Sequence, residues 1–433
     1  MLVVGSNGIQ EGVTIDLREM RRTTLSADKQ TVSVQPGAKW GDVYTTLDPL
    51  GYAIPGGRSS DVGVGGLVLG GGNSFFAARY GFVCDNVKNF EIVLGNGTIT
   101  NASAKSNPDL FKALKGASGN LGIVTRFDFY TFRSADLWGG LVIYTYSSIT
   151  KLLESFVDFT NNIAADPYGS LITFWQHTAA DNSTVVINLY EYTGNASAKP
   201  YYQSIDPPGT NNPVPTPFTN FTFQKLGKPI QDRLRVASLY NFTAELNGPA
   251  GLRNIYSAII FKATTAILTE VDAVIYRVLQ RASPNAPYTV AETQYQPIPR
   301  VFTDHSIQRG GNMLGLDRVK DNSILLSLIL HWEDPAQDAA VGQLMGDVLG
   351  NVTRFTKEAG GFRPWQYVNY AYEDQDPLGS YGEENVRFMQ RVSRKYDPKQ
   401  VFQKLVPGGW KLGDAGKRRK DLTFNEFDAF APR

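Results

Sequence analysis

The sequence predicts an α+β chain in two parts: a first unit of short strands and tight turns, then a unit in which a sheet is covered by helices on one face. Three observations predict it. The length, 433 residues, exceeds what one hydrophobic core usually covers. Up to about Arg133, apolar residues alternate at period two in short runs closed by glycine turns. Beyond it, alternating runs are followed by runs with helical apolar spacing, and strand then helix, repeated, is the pattern of a sheet with helices on one face.

The elements follow in order. GVTIDL (Gly12 to Leu17) and TVSVQ (Thr31 to Gln35) alternate as strands, and GDVYTTLDPL from Gly41 is a short amphipathic helix. EIVLGNGTIT from Glu91 sets Asn-Gly between β-rich runs, a hairpin signal. DLFKALKG from Asp109 is a helix of about two turns, and GNLGIVTRFDFYTF from Gly119 runs from a glycine turn into an alternating strand. SSITKLLESFVDFTNNI from Ser147 has helical spacing, while LITFWQHT and STVVINLYEY are strands. IYSAIIFKATTAILTEVDAVIYRVLQRA, from Ile255, is strand then long helix, and SILLSLILHWEDPAQDAAVGQLMGDVLGNVTRF, from Ser323, repeats that order. PPGTNNPVPTP, Pro207 to Pro217, is a Pro-rich loop with no packing pattern.

Composition narrows function. A formal net charge of +1 gives no electrostatic footprint for nucleic acid or an anionic membrane, and the longest apolar run, Ile324 to Leu330, is only strand-sized. The expected partner is a small molecule, with the chain a monomer. KRRK, Lys417 to Lys420, reads as a solvated tail. The single cysteine, Cys84, reads as a small buried apolar residue rather than a reactive thiol. Asn-x-Ser/Thr acceptors at Asn96, Asn101, Asn182, Asn195, Asn220, Asn241 and Asn351 lean towards a secreted glycoprotein, although MLVVGSNGIQEG lacks the features of a signal peptide. His177, His305 and His331 have no ligand-spaced neighbours, so no metal is expected. GASG, Gly116 to Gly119, does not complete a serine-nucleophile elbow, and the glycines of VGVGGLVLGGG, Val62 to Gly72, fit neither a P-loop nor G-x-G-x-x-G.

That stretch still needs a reason. Bare backbone lets N–H groups approach a ligand and tolerates positive φ, so it suits a structural turn or a bed for a planar, phosphorylated cofactor. A second glycine turn, GASGNLGIVT, follows a helix and enters a strand, which favours the cofactor.

Together, GAKWGDVYTTL, PGGRSSDVGVGGLVLGGGNSFFAARYGFVCDNV, EIVLGNG, DLFKALKGASGNLGIVT and, far downstream, YVNYAYEDQDPLGSYGEENVRFMQRVSRKYDPKQVF resemble the berberine-bridge-type FAD-linked oxidases, in the PCMH-type FAD-binding family shared with vanillyl-alcohol oxidase. VPGGWKL after the YDP motif is similar to fungal members, a texture associated with secondary metabolism. The resemblance implies FAD as cofactor, with residues 1–135 in the FAD domain, 136–360 forming a substrate domain with an antiparallel sheet covered by helices, and 361–433 returning to the FAD domain, the tail being polar from about residue 413. Val62 to Gly72 would then lie against the isoalloxazine and ribityl part, through Gly63, Val64, Gly65, Gly66, Leu67, Gly70, Gly71, Gly72 and the following Asn73. Gly56, Gly57 and Ser60 would flank it, and Gly119, Asn120, Gly122, Ile123 and Val124 would meet the adenosine end. Tyr367-Val368-Asn369-Tyr370 matches the family's Y-x-N-Y segment near the reacting edge of the flavin, with Tyr370 as base, Tyr367 as its companion and Asn369 beside the cofactor. A tyrosine packed in a strand is the structural alternative.

Three departures qualify the implication. Ser59 stands where some members carry a flavin-linked cysteine, and Leu67 stands where many carry a histidine. The family's flavin-bonding histidine has no counterpart, because no histidine occurs before His177. Any FAD would therefore be held non-covalently. Relative to the family pattern the FAD domain reads as N-terminally incomplete, so weak FAD binding and lowered solubility are expected of this chain. The activity implied is an oxidase that moves a hydride from a small organic substrate to flavin N5 and passes electrons to O2. A flavin-free scaffold with a binding role, or a non-redox rearrangement in the same pocket, remain alternatives.

Overall fold

The computed structural model describes residue 9 and residues 12–194, 215–248, 251–283 and 285–416. Most of the Pro207 to Pro217 loop, the Asn195 acceptor and the Lys417 to Lys420 cluster lie outside the described residues.

The chain begins with β1 (Thr23–Leu25), β2 (Thr31–Val34), α1 (Trp40–Leu47), β3 (Tyr52–Ala53), α2 (Val64–Leu69) and α3 (Ala77–Tyr80). It continues through β4 (Val87–Val93), β5 (Ile99–Ser103), α4 (Pro108–Leu114), β6 (Ile123–Tyr130) and β7 (Phe132–Arg133). Five of these strands form an antiparallel sheet in the order β1-β2-β6-β4-β5, while β3 pairs with β7. The Asn-Gly hairpin closes β4 onto β5: Leu94 N–H donates to the Thr98 carbonyl at 2.9 Å, and Gly97 turns the chain with φ 82°.

A larger sheet follows. Its elements are β8 (Leu137–Thr145), α5 (Ile149–Asn162), β9 (Gly169–Thr178), β10 (Ser183–Tyr192), α6 (Phe223–Leu226), β11 (Gln231–Asp232), β12 (Arg235–Ala237) and α7 (Leu239–Ala244). Then come β13 (Arg253–Tyr256), β14 (Ile259–Lys262), α8 (Thr265–Ala282), β15 (Val290–Ile298), α9 (Arg300–Gln308), β16 (Ser323–Trp332), α10 (Asp338–Glu358) and β17 (Phe362–Arg363). The strand path is β11-β8-β10-β9-β15-β16-β14-β17, with β12 on β8 and β13 on β16. After β17 the chain crosses back to the first sheet and ends in α11 (Pro377–Ser380), α12 (Glu383–Tyr396) and α13 (Val401–Lys404). This is the α+β architecture expected, with the large antiparallel sheet covered by α5, α8 and α10.

Period-two alternation assigns the two faces of the large sheet different work. On the helix-covered face, Trp175 Nε1 and the Tyr295 hydroxyl each donate to Asp272 of α8 at 2.7 Å, and the Tyr146 hydroxyl adds a third bond at 2.9 Å. Burial pushes the Asp272 carboxyl above the usual range, against the pull of these three donors. On the opposite face, Glu292, Gln294 and Gln296 of β15 form a polar row that meets the first unit.

Two local expectations differ from the structure. Gly12 to Leu17 forms no strand: Val13 and Ile15 are 86% and 63% exposed, and with no strand partner among the described residues the alternating pattern has no face to bury. Val62 to Gly72 is not one turn but contains the helix α2. Glycine disfavours a helix, yet Val64 and Val68 are fully buried, and bonds from Trp40 N–H to the Val62 carbonyl and from Val64 N–H to the Ala38 carbonyl anchor its start.

Asp272→Ala should strip three donors of their acceptor at once. A loss of about 3–5 kcal/mol is expected, since each buried unpaired group costs about 1–3 kcal/mol and the effects are not additive. Denaturant unfolding checks it, and an unchanged midpoint would contradict this account of α8 docking.

Candidate active site between the two sheets

The site is built where the returning chain lands on the end of α2. Gly71 and Gly72, at φ 111° and 82°, turn the backbone after α2 so that Asn73 faces the returning segment. Tyr367 to Tyr370 is itself a turn, closed by Tyr370 N–H on the Tyr367 carbonyl at 2.9 Å, and not the strand that would have made Tyr370 a packing residue. Asn369 lies across Gly70 so closely that a Cβ there would stand 1.6 Å from its Oδ1. Its Nδ2 donates to the Leu67 carbonyl at 3.1 Å and to the Tyr367 hydroxyl at 3.0 Å. That hydroxyl also accepts Asn73 N–H at 2.8 Å. Tyr367 is buried under Trp365, and burial first, then the neighbouring Tyr370, push its hydroxyl far above the ordinary phenol value.

Tyr370 is different. It is half-buried, sits edge-on to Tyr367 with ring centres 4.9 Å apart, and stands 6.2 Å from Tyr256 of β13. Its hydroxyl accepts a bond from Arg58 Nη2 at 3.1 Å. The same nitrogen donates to Gln296 Oε1 at 2.5 Å, and from there the amides continue along β15, Gln296 to Gln294 at 3.4 Å and Gln294 to Glu292 at 3.0 Å. Burial opposes ionisation of Glu292, but bonds from His331, Gln176 and Gln294 outweigh it and hold the carboxyl below the usual range. Burial, followed by the charge of Glu292, pushes the Tyr256 hydroxyl up.

The remaining candidates divide by what surrounds them. Gly56 and Gly57 press against Trp40, Gly72 against Leu67 and Val83, Gly71 against Leu314, Gly65 against Pro36, and Gly122 against Ile92. These glycines each have a packing reason. Gly63 and Gly119 do not: among the described residues nothing lies within 4 Å of the Cβ each lacks, and both, with Gly66, are exposed. Ser60 is tied to Asn247, whose Oδ1 also takes Ser59 Oγ and Asp61 N–H. Asn120 is a hub for the C-terminal segment, bonding Trp410, Gln403 and Leu412. Val64 and Val124 are buried and Ile123 half-buried. Cys84 is buried and free, as expected of a packing residue.

Residues 2–103 match the FAD binding domain model FAD_binding_4. The chain is 34% identical over 416 residues to FAD-dependent monooxygenase sdcF of Emericella nidulans, covering 95% of this chain and 83% of that protein. It is likewise 34% identical to FAD-dependent monooxygenase tpcD of Cochliobolus heterostrophus, covering 95% and 78%. The chain belongs to this family of FAD-linked oxidoreductases. Among solved structures, 6-hydroxy-D-nicotine oxidase of Arthrobacter nicotinovorans has the same fold, with TM-score 0.71 at 19% identity over 92% of this chain and 82% of that one. Xylooligosaccharide oxidase of Myceliophthora thermophila shares it as well, with TM-score 0.66 at 20% identity over 90% and 80%. The resemblance read from the motifs is thus borne out, and FAD is the family's cofactor. The residues present fit it: α2 packs beside the Ser118–Asn120 turn, so the exposed backbone of Gly63, Gly66 and Gly119 lies on neighbouring elements, with nothing among the described residues against the missing Cβ of Gly63 or Gly119.

Arg58, Gln296, Glu292 and Tyr256 were not singled out by sequence. Arg58 had a signal: it is the lone charged side chain inside the glycine-serine turn PGGRSS. The others are ordinary residues of a strand pattern.

Gly70→Ala should push Asn369 off Leu67, with about 1–3 kcal/mol of destabilisation from overpacking, read as a lowered unfolding temperature. For Glu292, the ionised form is favoured in the fold. Its contribution is complete above the ordinary glutamate value of 4.5 and is lost as pH falls through the lower folded value. The stability gap between the parent chain and Glu292→Gln should therefore shrink on acidification below that value, and a gap that widens would refute the assignment.

Proposed function

We propose that the chain is an FAD-dependent oxidase of a small organic substrate in which Tyr370 is the base. Bound FAD supplies the hydride acceptor at N5, and O2 takes up the electron pair with protons to give H2O2. The observation that carries the reading is Tyr370 itself, half-buried beside Arg58 and raised on the turn that docks over Gly70.

Each residue has a part. Tyr370 removes a proton from the substrate's O–H or N–H as the adjacent C–H gives up its hydride, so the substrate leaves with a new C=O or C=N bond. Tyr367 is not the base, because burial keeps it a phenol and its oxygen is already engaged by Asn73 and Asn369. It sets the position of Tyr370 through the edge-on contact. Gly63 before α2, with Gly66 and Leu67 on it, is assigned to the ring and ribityl flank, and Gly119 with Ile123 to the adenosine end. Ser59 removes the cysteine link to the flavin that some members carry, and Leu67 offers the ring and ribityl chain an apolar contact where many members have a histidine.

The names of the two relatives favour a second reading, oxygen transfer to the substrate in place of H2O2 release. Turnover under isotopically labelled O2 separates them: label in H2O2 supports oxidation, and label in the organic product supports monooxygenation.

Tyr370→Phe should retain FAD and slow flavin reduction on the order of 10²–10⁴-fold, the usual contribution of a general base. Anaerobic stopped-flow bleaching of the flavin measures it, and a parental rate would remove Tyr370 from the mechanism.

A further inference from the structure

We propose that Arg58 is a positioning residue that orients the Tyr370 hydroxyl and stabilises its oxyanion form, with Glu292 as counter-charge at the far end of a glutamine ladder. The inference rests on the reading of Tyr370 as base. Arg58 is only 9% exposed. Among the described residues no carboxylate lies within ion-pair distance of it, and its bonded acceptors are neutral, Gln296 Oε1 and the Tyr370 hydroxyl. A guanidinium retains its charge at any working pH, and a buried charge without a partner is costly. Of its two acceptors, only the phenol can become an anion.

The surroundings leave this charge unopposed. Facing Tyr370 are Tyr367 from its own turn, Tyr256 from β13 and Arg58 from the loop before α2. Burial keeps both tyrosines as neutral phenols. Glu292, the anion nearest in the bonded network, is separated from Arg58 by Gln296 and Gln294. Amides transmit polarisation without neutralising the guanidinium, so the cation is retained in the site while Glu292 balances it at a distance. Bonding both acceptors through one nitrogen also fixes direction: Gln296 on the rigid sheet holds the guanidinium, and the guanidinium holds the phenol. A bond from a cation strengthens as its acceptor gains negative charge, which is what general-base action by Tyr370 requires before each turnover.

The test uses the full chain carrying ring-carbon-labelled tyrosine, with the Tyr370 resonance assigned by its absence in Tyr370→Phe. In Arg58→Gln the titration midpoint of Tyr370 should move to higher pH by about 1–3 units, as expected when an adjacent opposite charge is removed. The acid limb of the flavin-reduction profile should move with it. Arg58→Lys, which keeps the charge, should restore part of the shift. Gln296→Glu is the second variant, chosen because an ion pair replaces the existing bond. Its new carboxylate competes for the guanidinium and should also raise the midpoint. A Tyr370 midpoint unchanged in Gln296→Glu and in whichever Arg58 variants fold overturns the proposal. A shifted midpoint with Tyr370→Phe reducing flavin at the parental rate retains the Arg58 assignment and overturns the base reading. Slowed reduction in Tyr370→Phe with unmoved midpoints does the reverse.

Discussion

The site depends on one absence, the missing side chain at residue 70. Asn369 occupies the place where a Cβ would be, and from there its amide reaches both the end of α2 and the Tyr367 hydroxyl. Because Asn73 N–H bonds the same hydroxyl, one buried phenol gathers the end of α2, the loop after it and the segment returning from the large sheet. A methyl group at position 70 would lift that segment, and with it Tyr370. The edge-on contact of Tyr367 and the bond from Arg58 fix Tyr370 only while the turn beneath them is seated.

Much of the fold was legible because period and punctuation agree. Strands β9, β10 and β16, the helices that follow β14 and β16, and the Asn-Gly hairpin stand where alternation and turn chemistry place them, whereas β8 and β15 carry no pattern that singled them out. The errors share a cause. Gly12 to Leu17 alternates correctly but finds no strand partner among the described residues, and α2 is glycine-rich but is held by two buried valines and an anchored start. In both, tertiary contact overrides the local pattern. The site was legible only where a motif carried it. Tyr367, Asn369 and Tyr370 sit together in sequence, whereas Arg58 meets Tyr370, and Gln296 meets Arg58, from distant positions whose pairing no local spacing encodes.

The large sheet shows how alternation can supply both stability and chemistry. Along β15, odd positions such as Tyr295 turn towards α8, where Asp272 collects three donors and burial keeps its carboxyl above the ordinary range. Even positions turn towards the first unit and carry Glu292, Gln294 and Gln296. Each face meets a carboxyl, that of Asp272 buried and that of Glu292 half-buried, but the consequences differ. Asp272 pins a helix to the sheet through three donors, whereas Glu292 belongs to a bonded row that ends at a cation beside Tyr370.

The glycine-rich stretch can now be divided by physical cause. Gly70, Gly71 and Gly72 are bare so that protein atoms fit: Asn369 at the first, Leu314 at the second, Leu67 and Val83 at the third. Among the described residues nothing lies within 4 Å of the Cβ that Gly63 lacks, and Gly63, just before α2, and Gly66 within it are both exposed. The packed glycines end the helix and seat the Tyr367 to Tyr370 turn, while Gly63 and Gly66 keep their backbone exposed. A glycine carries no side chain to announce which of these it serves, so sequence alone reads both as one feature. The distinction lies in the partner, and for Gly70 that partner is Asn369, supplied from beyond the entire large sheet. The same bare position that lets α2 be approached therefore decides how near Tyr370 comes to whatever lies on it.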